Sequence, residues 1–321
     1  MIWQSAIALA SPGGVRAKLS ILIFHRVLPQ QDPLFPEEPF AAQFDSVIRH
    51  ISSRFRVLSL AEAVNALGRG TLPARALAIT FDDGYADNLA IAAPILQRHR
   101  VPATVFVATG YLDGGCMWND LVIEAFRATP RDALDLQSIG LSSFHLHSHD
   151  DRRRAIDDVL AHIKYLPQDE RQDRAERILR TAEVSAPSGL MLTRESLRAL
   201  HATGIDVGAH TVTHPILARL ASDAAWHEIR KSKQDLEALL GKSVDLFAYP
   251  NGRPDEDYTA EHVSMIRETG FSAAVTTAPG AAQRASDVYQ LPRFTPWSRD
   301  PLRFDLMMLR NLRQGTEKRA A

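Results

Sequence analysis

The chain has 321 residues, of which 45% are hydrophobic, with 37 basic side chains against 38 acidic ones and a single cysteine. That supplies the core of one large α/β domain or of two smaller ones. The near balance of charge excludes a globally basic nucleic-acid binder, and the lone Cys116 excludes an intrachain disulfide.

The stretch from Met1 to Ala10 is mildly apolar, has no basic residue ahead of its apolar run and is too short to span a membrane. With no disulfide, this makes a soluble, cytoplasmic protein the expectation, with peripheral membrane association left open. Leu19 to Phe24 reads as a buried strand that ends at His25. Phe40, Phe44, Val47, Ile48 and Ile51 fall at helical spacing. A short strand from Phe55 to Leu58 leads to Ser59, which suits a helix N-cap. Ala76 to Phe81 is an apolar run typical of an interior parallel strand, and it ends in Asp82-Asp83-Gly84. A helix near 88–99 and a strand over 103–108 follow.

The stretch from about Asp113 to Leu190 breaks this rhythm. It is long, charged and helix-rich, and it is expected to form a helical lid beside the active-site mouth rather than a separate domain. Within it, Arg152-Arg153-Arg154 reads as a solvated helix face. His145, His147 and His149 read as an exposed segment, with Ser148 or Asp150 capping the next helix. Cys116 reads as inert packing. Beyond the insertion, Thr193 caps a helix that Gly204 ends, and strand 205–209 leads to His210-Thr211-Val212-Thr213-His214. A helix from Ser222 to Leu240, closed by Gly241, strand 244–249, a helix near 258–269, strand 271–276 and an apolar piece at 288–292 complete the series. Seven or so βα units imply a barrel or a doubly wound sheet, and either places functional groups at the carboxyl ends of the strands.

Adjacent carboxylates at a buried strand tip are costly without a positive partner. Two imidazoles four residues apart meet on one face of a helical turn. One carboxylate with two histidines makes a facial ligand set with open positions, and the other aspartate is left free for proton transfer.

Thr80-Phe81-Asp82-Asp83-Gly84 and His210 to His214 together resemble the polysaccharide deacetylase family, whose members share the NodB homology domain and are akin to carbohydrate esterase family 4. Phe247-Ala248-Tyr249-Pro250-Asn251-Gly252 and Leu291-Pro292-Arg293-Phe294 resemble its two later motifs. The resemblance implies one domain over 1–321, a distorted (β/α)7-type barrel with its core at about 19–295 and the insertion at about 113–190. It implies a metal-dependent hydrolase that removes N-acetyl groups from a glycan or sugar-linked precursor. Asp83, His210 and His214 would hold the metal, most often zinc, with cobalt, manganese or iron also accepted. Asp82 would be the general base, and a backbone N–H at Asn251 would face the oxyanion. Tyr249, Tyr85 and Trp118 are placed with the substrate-binding residues.

The chain departs from the family pattern twice. Ala248 stands where an arginine often orients the catalytic aspartate, and Arg293 stands where a histidine often serves as general acid. Arg293 is therefore expected to pair with Asp82, leaving the acid role to His25 or a metal-bound water. The alternatives are a hydrolase of another small amide, of deformylase or cyclic-amide type, and a non-catalytic carbohydrate-binding protein.

Overall fold

The computed structural model describes residues 2–295, 298, 300–313 and 318–320. In chain order the elements are α1 (Ile2–Ala10), β1 (Ser20–Phe24), α2 (Ala41–Arg54), β2 (Arg56–Val57), α3 (Leu60–Arg69), β3 (Ala76–Phe81), α4 (Ala93–His99) and β4 (Thr104–Val107). The insertion carries α5 (Trp118–Ala128), β5 (Ala133–Asp135), β6 (Ser143–His145), α6 (His149–Ile163) and α7 (Gln168–Thr181). Then come α8 (Arg194–Ala202), β7 (Asp206–Ala209), α9 (Ser222–Leu240), β8 (Leu246–Ala248), α10 (Ala260–Glu268), β9 (Ala273–Val275) and α11 (Pro301–Arg313).

The main sheet is parallel throughout, in the order β1-β3-β4-β7-β8-β9, with β2 alongside β3. Parallel bridges from Val275 to Leu291 and from Leu22 to Phe294 join its two edges, so the segment 291–294 closes the curl into a distorted (β/α) barrel. Both faces of the strands are covered, which is why β1, β3 and β4 read as unbroken apolar runs.

Strand alternation sorts these residues into two layers. Leu22, Phe24, Ile79, Phe81, Val105 and Val107 face the helices, where the Phe24 ring lies 5.5 Å from those of both Phe44 and Phe81. Ile21, Ala78, Phe106, Leu246 and Val275 fill the barrel. Gly208 makes room there, because a Cβ at this position would sit 2.4 Å from the Phe106 ring. The interior row on β3 runs Ala78, Thr80, Asp82, so pleating alone turns Asp82 inward.

Helix ends follow the sequence signals. Ser59, Ser148 and Thr193 each close a capping box at the start of α3, α6 and α8, and Gly241 ends α9 in the left-handed region. The insertion packs α5, α6 and α7 around its own cluster, including Phe126, Ile156, Val159 and Ile178. It is less purely helical than its composition suggests, since β5 and β6 form an antiparallel hairpin. Among the described residues, no helix is long and apolar enough to cross a membrane.

Candidate active site

The site lies at the carboxyl ends of β3 and β7, in a cavity of about 550 Å³. After Asp82 the backbone of Asp83 turns left-handed at φ 76°, followed by Gly84 at φ 87°. This costs a non-glycine residue conformational energy. It also breaks the pleat, so the two carboxylates leave the strand in different directions.

Asp82 points to Arg293. The guanidinium, 1% exposed, donates from Nη1 to Oδ1 and from Nη2 to Oδ2, both at 2.6 Å. Its remaining donors reach the Thr80 hydroxyl at 3.2 Å and the Thr276 carbonyl at 2.8 Å. Its Cζ lies 5.7 Å from the Phe106 ring centroid. Burial alone would push the Asp82 carboxyl up, but Arg293, followed by His210, outweighs it and holds Asp82 below the ordinary carboxylate range.

Asp83 points the other way. Its Oδ1 lies 3.5 Å from Nε2 of His210 and 3.5 Å from Nε2 of His214, and it is buried with no hydrogen-bond partner among the described residues. The ligand atoms of Asp83, His210 and His214 all fall within 4.8 Å of one another. Two ligands at about 2.0–2.1 Å from one tetrahedral zinc ion lie about 3.3–3.4 Å apart, so the two 3.5 Å separations from Asp83 to the histidines fit a shared cation. His210 Nδ1–H donates to the Ala248 carbonyl at 2.7 Å, which turns Nε2 toward Asp83; burial lowers the His210 pKa, but the charge of Asp82 and the Asp83 carboxylate outweigh it and raise it. Burial pushes His214 down to about 4, keeping it neutral as a ligand must be.

The histidines do not sit on a helical turn, as their spacing suggested. They flank a tight loop in which Thr211 and His214 take positive φ, 65° and 53°. The Thr211 hydroxyl bridges this loop, donating to the His210 carbonyl at 2.5 Å and accepting from His214 N–H at 3.1 Å. Glu228 of α9 holds the rest, accepting from Val212 N–H, Thr213 N–H and the Thr213 hydroxyl at 2.8, 2.9 and 2.7 Å. Sequence reasoning missed Glu228. Its signal was an acid within the buried stripe Ala225, Ile229, Ser232 and Leu236 of α9.

His25, Asn251, Tyr85 and Trp118 line the same cavity as the two aspartates and the two histidines. His25 is exposed at the end of β1. Asn251 adopts φ 59°. Its carbonyl accepts from the Thr277 hydroxyl at 2.6 Å, and among the described residues its N–H donates to no acceptor. Tyr249 requires a correction. It is 0% exposed, stacked on Tyr258 at 3.9 Å with its hydroxyl donating to the Tyr289 carbonyl, so it packs in the core and does not line the cavity. The small Ala248 beside it supports the histidine through its carbonyl.

Tyr85 donates to Asp120, at 3.1 and 3.2 Å from the two carboxylate oxygens. Burial, then the charge of Asp83, pushes Asp120 up to about 7. Between about pH 4 and pH 7 the folded chain therefore holds a proton that the unfolded chain has released, and stability falls as pH rises through that window. Asp120→Asn keeps an acceptor for Tyr85 but cannot ionise. The wild type is expected to lose about 2–4 kcal/mol more than this variant between pH 4 and pH 8, measured by denaturant unfolding. Parallel pH profiles would contradict the assignment.

Residues 69–274 match the sequence profile of the family described as polysaccharide deacetylase. The chain belongs to the polysaccharide deacetylase family. The Bacillus subtilis (strain 168) protein YxkH, named for the same family, is 24% identical over 278 residues, covering 86% of this chain and 71% of YxkH. A Staphylococcus aureus poly-β-1,6-N-acetyl-D-glucosamine N-deacetylase is 30% identical over 111 residues, 34% of this chain and 36% of that enzyme. Among solved structures, the Streptococcus pyogenes deacetylase PplD in complex with acetate superposes with a TM-score of 0.62 at 20% identity, covering 93% of this chain and 99% of that one. IcaB from Ammonifex degensii superposes at 0.58 and 18% identity, over 92% and 98%. These two likenesses support the barrel fold. The family membership makes the chain a deacetylase.

Proposed function

We propose that this deacetylase removes N-acetyl groups from a glycan or sugar-linked precursor, with Asp83, His210 and His214 holding zinc and Asp82 acting as general base. The observation that carries the reading is the division of labour at the tip of β3. Asp83 has an orphaned oxygen facing two imidazoles, while Asp82 is held apart by Arg293. A bound divalent cation supplies Lewis acidity, polarising the acetyl carbonyl and lowering the pKa of water. The cluster's mix of two imidazoles and one carboxylate suits zinc, although cobalt, manganese or iron would fit the same donors.

Asp82 takes the proton from the attacking water. Arg293 keeps both of its oxygens oriented and its charge in place. The Asn251 N–H donates to the oxygen that gains charge at the tetrahedral carbon. His25, exposed at the cavity rim, delivers a proton to the departing amine. His25→Ala is expected to lower kcat about 10²-fold and to alter the pH–rate profile; an unchanged profile would remove His25 from this role.

The direct test is acetate release from N-acetylglucosamine oligomers by metal-loaded protein, lost on chelation and restored by zinc. Bound metal with no acetate from any glycan would favour another small amide or a binding protein. A cytoplasmic location is also proposed, and cell fractionation tests it.

A further inference from the structure

Arg171 lines the catalytic cavity and has no anionic partner among the described residues. Helix α7 carries three compensated pairs: Arg174 with Glu170, Arg177 with Asp173 and Arg180 with Glu176, each four residues apart. Arg171 lies on the inward face of the same helix and is 4% exposed. Among the described residues it makes no ion pair. Its Nη1 donates to the Lys164 carbonyl at 3.1 Å, its Nε has no acceptor, and its Cζ lies 5.0 Å from the Trp118 ring centroid. Burial lowers its pKa, and Tyr111 is the neighbour that opposes this. Lys164, at the end of α6, lines the same cavity without an ion pair among the described residues; Asp257 and Glu256 favour its charge, whereas Arg253 and Arg171 disfavour it.

A buried, unpaired guanidinium is destabilising by itself, whereas a paired one is tolerated. Its place beside the reaction centre is also fixed. Gln168, one helical turn before Arg171, donates to the Thr213 hydroxyl at 2.7 Å, tying α7 to the histidine loop.

We propose that Arg171, assisted by Lys164, is an anion subsite of the catalytic cavity, and that the preferred substrate is an N-acetylated glycan with a carboxylate or phosphate group beside the acetamido sugar. The planar fork of arginine matches either oxyanion, and Trp118 holds the fork flat. This inference rests on the deacetylase reading and adds the charge of the substrate to it.

The test compares acetate release from a neutral N-acetylglucosamine tetramer with that from a tetramer alternating with glucuronate and from an N-acetylglucosamine phosphodiester. Wild type is expected to favour at least one anionic substrate about tenfold in kcat/KM, and the winning arm distinguishes uronate from phosphate. Arg171→Met should abolish the ratio and Lys164→Met, at a half-exposed position that folding tolerates, should reduce it. Arg177→Gln on the outer face should leave it unchanged. No anionic preference in the wild type, or a ratio that survives in both Met variants, overturns the proposal. If no substrate yields acetate, the deacetylase reading fails, and melting then decides the subsite. Inorganic phosphate or glucuronate should raise the Tm of wild type, relative to chloride at equal ionic strength, more than that of Lys164→Met; equal shifts overturn it.

Discussion

Asp82→Asn is expected to lower kcat about 10²–10⁴-fold while the chain still binds a divalent ion. The amide keeps the size and one acceptor of the carboxylate but cannot take a proton from water. It also leaves Arg293, whose side chain is 0% exposed, without its counter-charge. Breaking such a buried pair costs about 3–5 kcal/mol, so melting should fall together with activity. The two effects separate when rates are expressed per folded, metal-loaded molecule. Near-normal turnover on that basis would remove Asp82 from proton transfer.

Arg293→Lys should lower kcat about 10²-fold without loss of metal. An ammonium is a point charge. It cannot hold both Asp82 oxygens, the Thr80 hydroxyl and the Thr276 carbonyl at once, as the guanidinium does. The charge survives, so Asp82 stays ionised, but its orientation is no longer fixed from two directions. Loss of metal in this variant, or unchanged turnover, would contradict the assignment of Arg293 as the residue that positions Asp82.

Arg293 also illustrates what can be read from a string of residues. Its place in the stretch that resembles the family's last motif, together with Ala248 where the family often has an arginine, was enough to suggest Asp82 as its partner. The barrel bears this out physically: segment 291–294 lies between β9 and β1, which brings Arg293 over the end of β3. The buried strands and the long helices were legible for a related reason. Each has one dominant local signal, either an unbroken apolar run as in β3 or cap and stop residues as at Ser59 and Gly241.

Other features depend on contacts far apart in sequence. The spacing of His210 and His214 is compatible with a helix, but the backbone solves the same convergence with left-handed residues and a glutamate from α9. Tyr249 lies in a motif beside the site, yet the pleat of β8 and the stacked Tyr258 turn it into the core. The β5–β6 hairpin is too short and polar to stand out within a charged, helix-rich stretch. Asp120 and Arg171 carry no local signal of their own in the sequence, and only the fold shows that both are buried against the cavity.

The most direct measurement is calorimetric titration of divalent zinc into the metal-stripped wild type, Asp83→Ala, His210→Ala, His214→Ala and Asp82→Asn. Wild type and Asp82→Asn should each take up one ion per chain, and the three ligand variants should bind at least about 10²-fold more weakly. Tight binding that survives loss of Asp83, or disappears with Asp82, would contradict the assignment of one aspartate to the ion and the other to the proton.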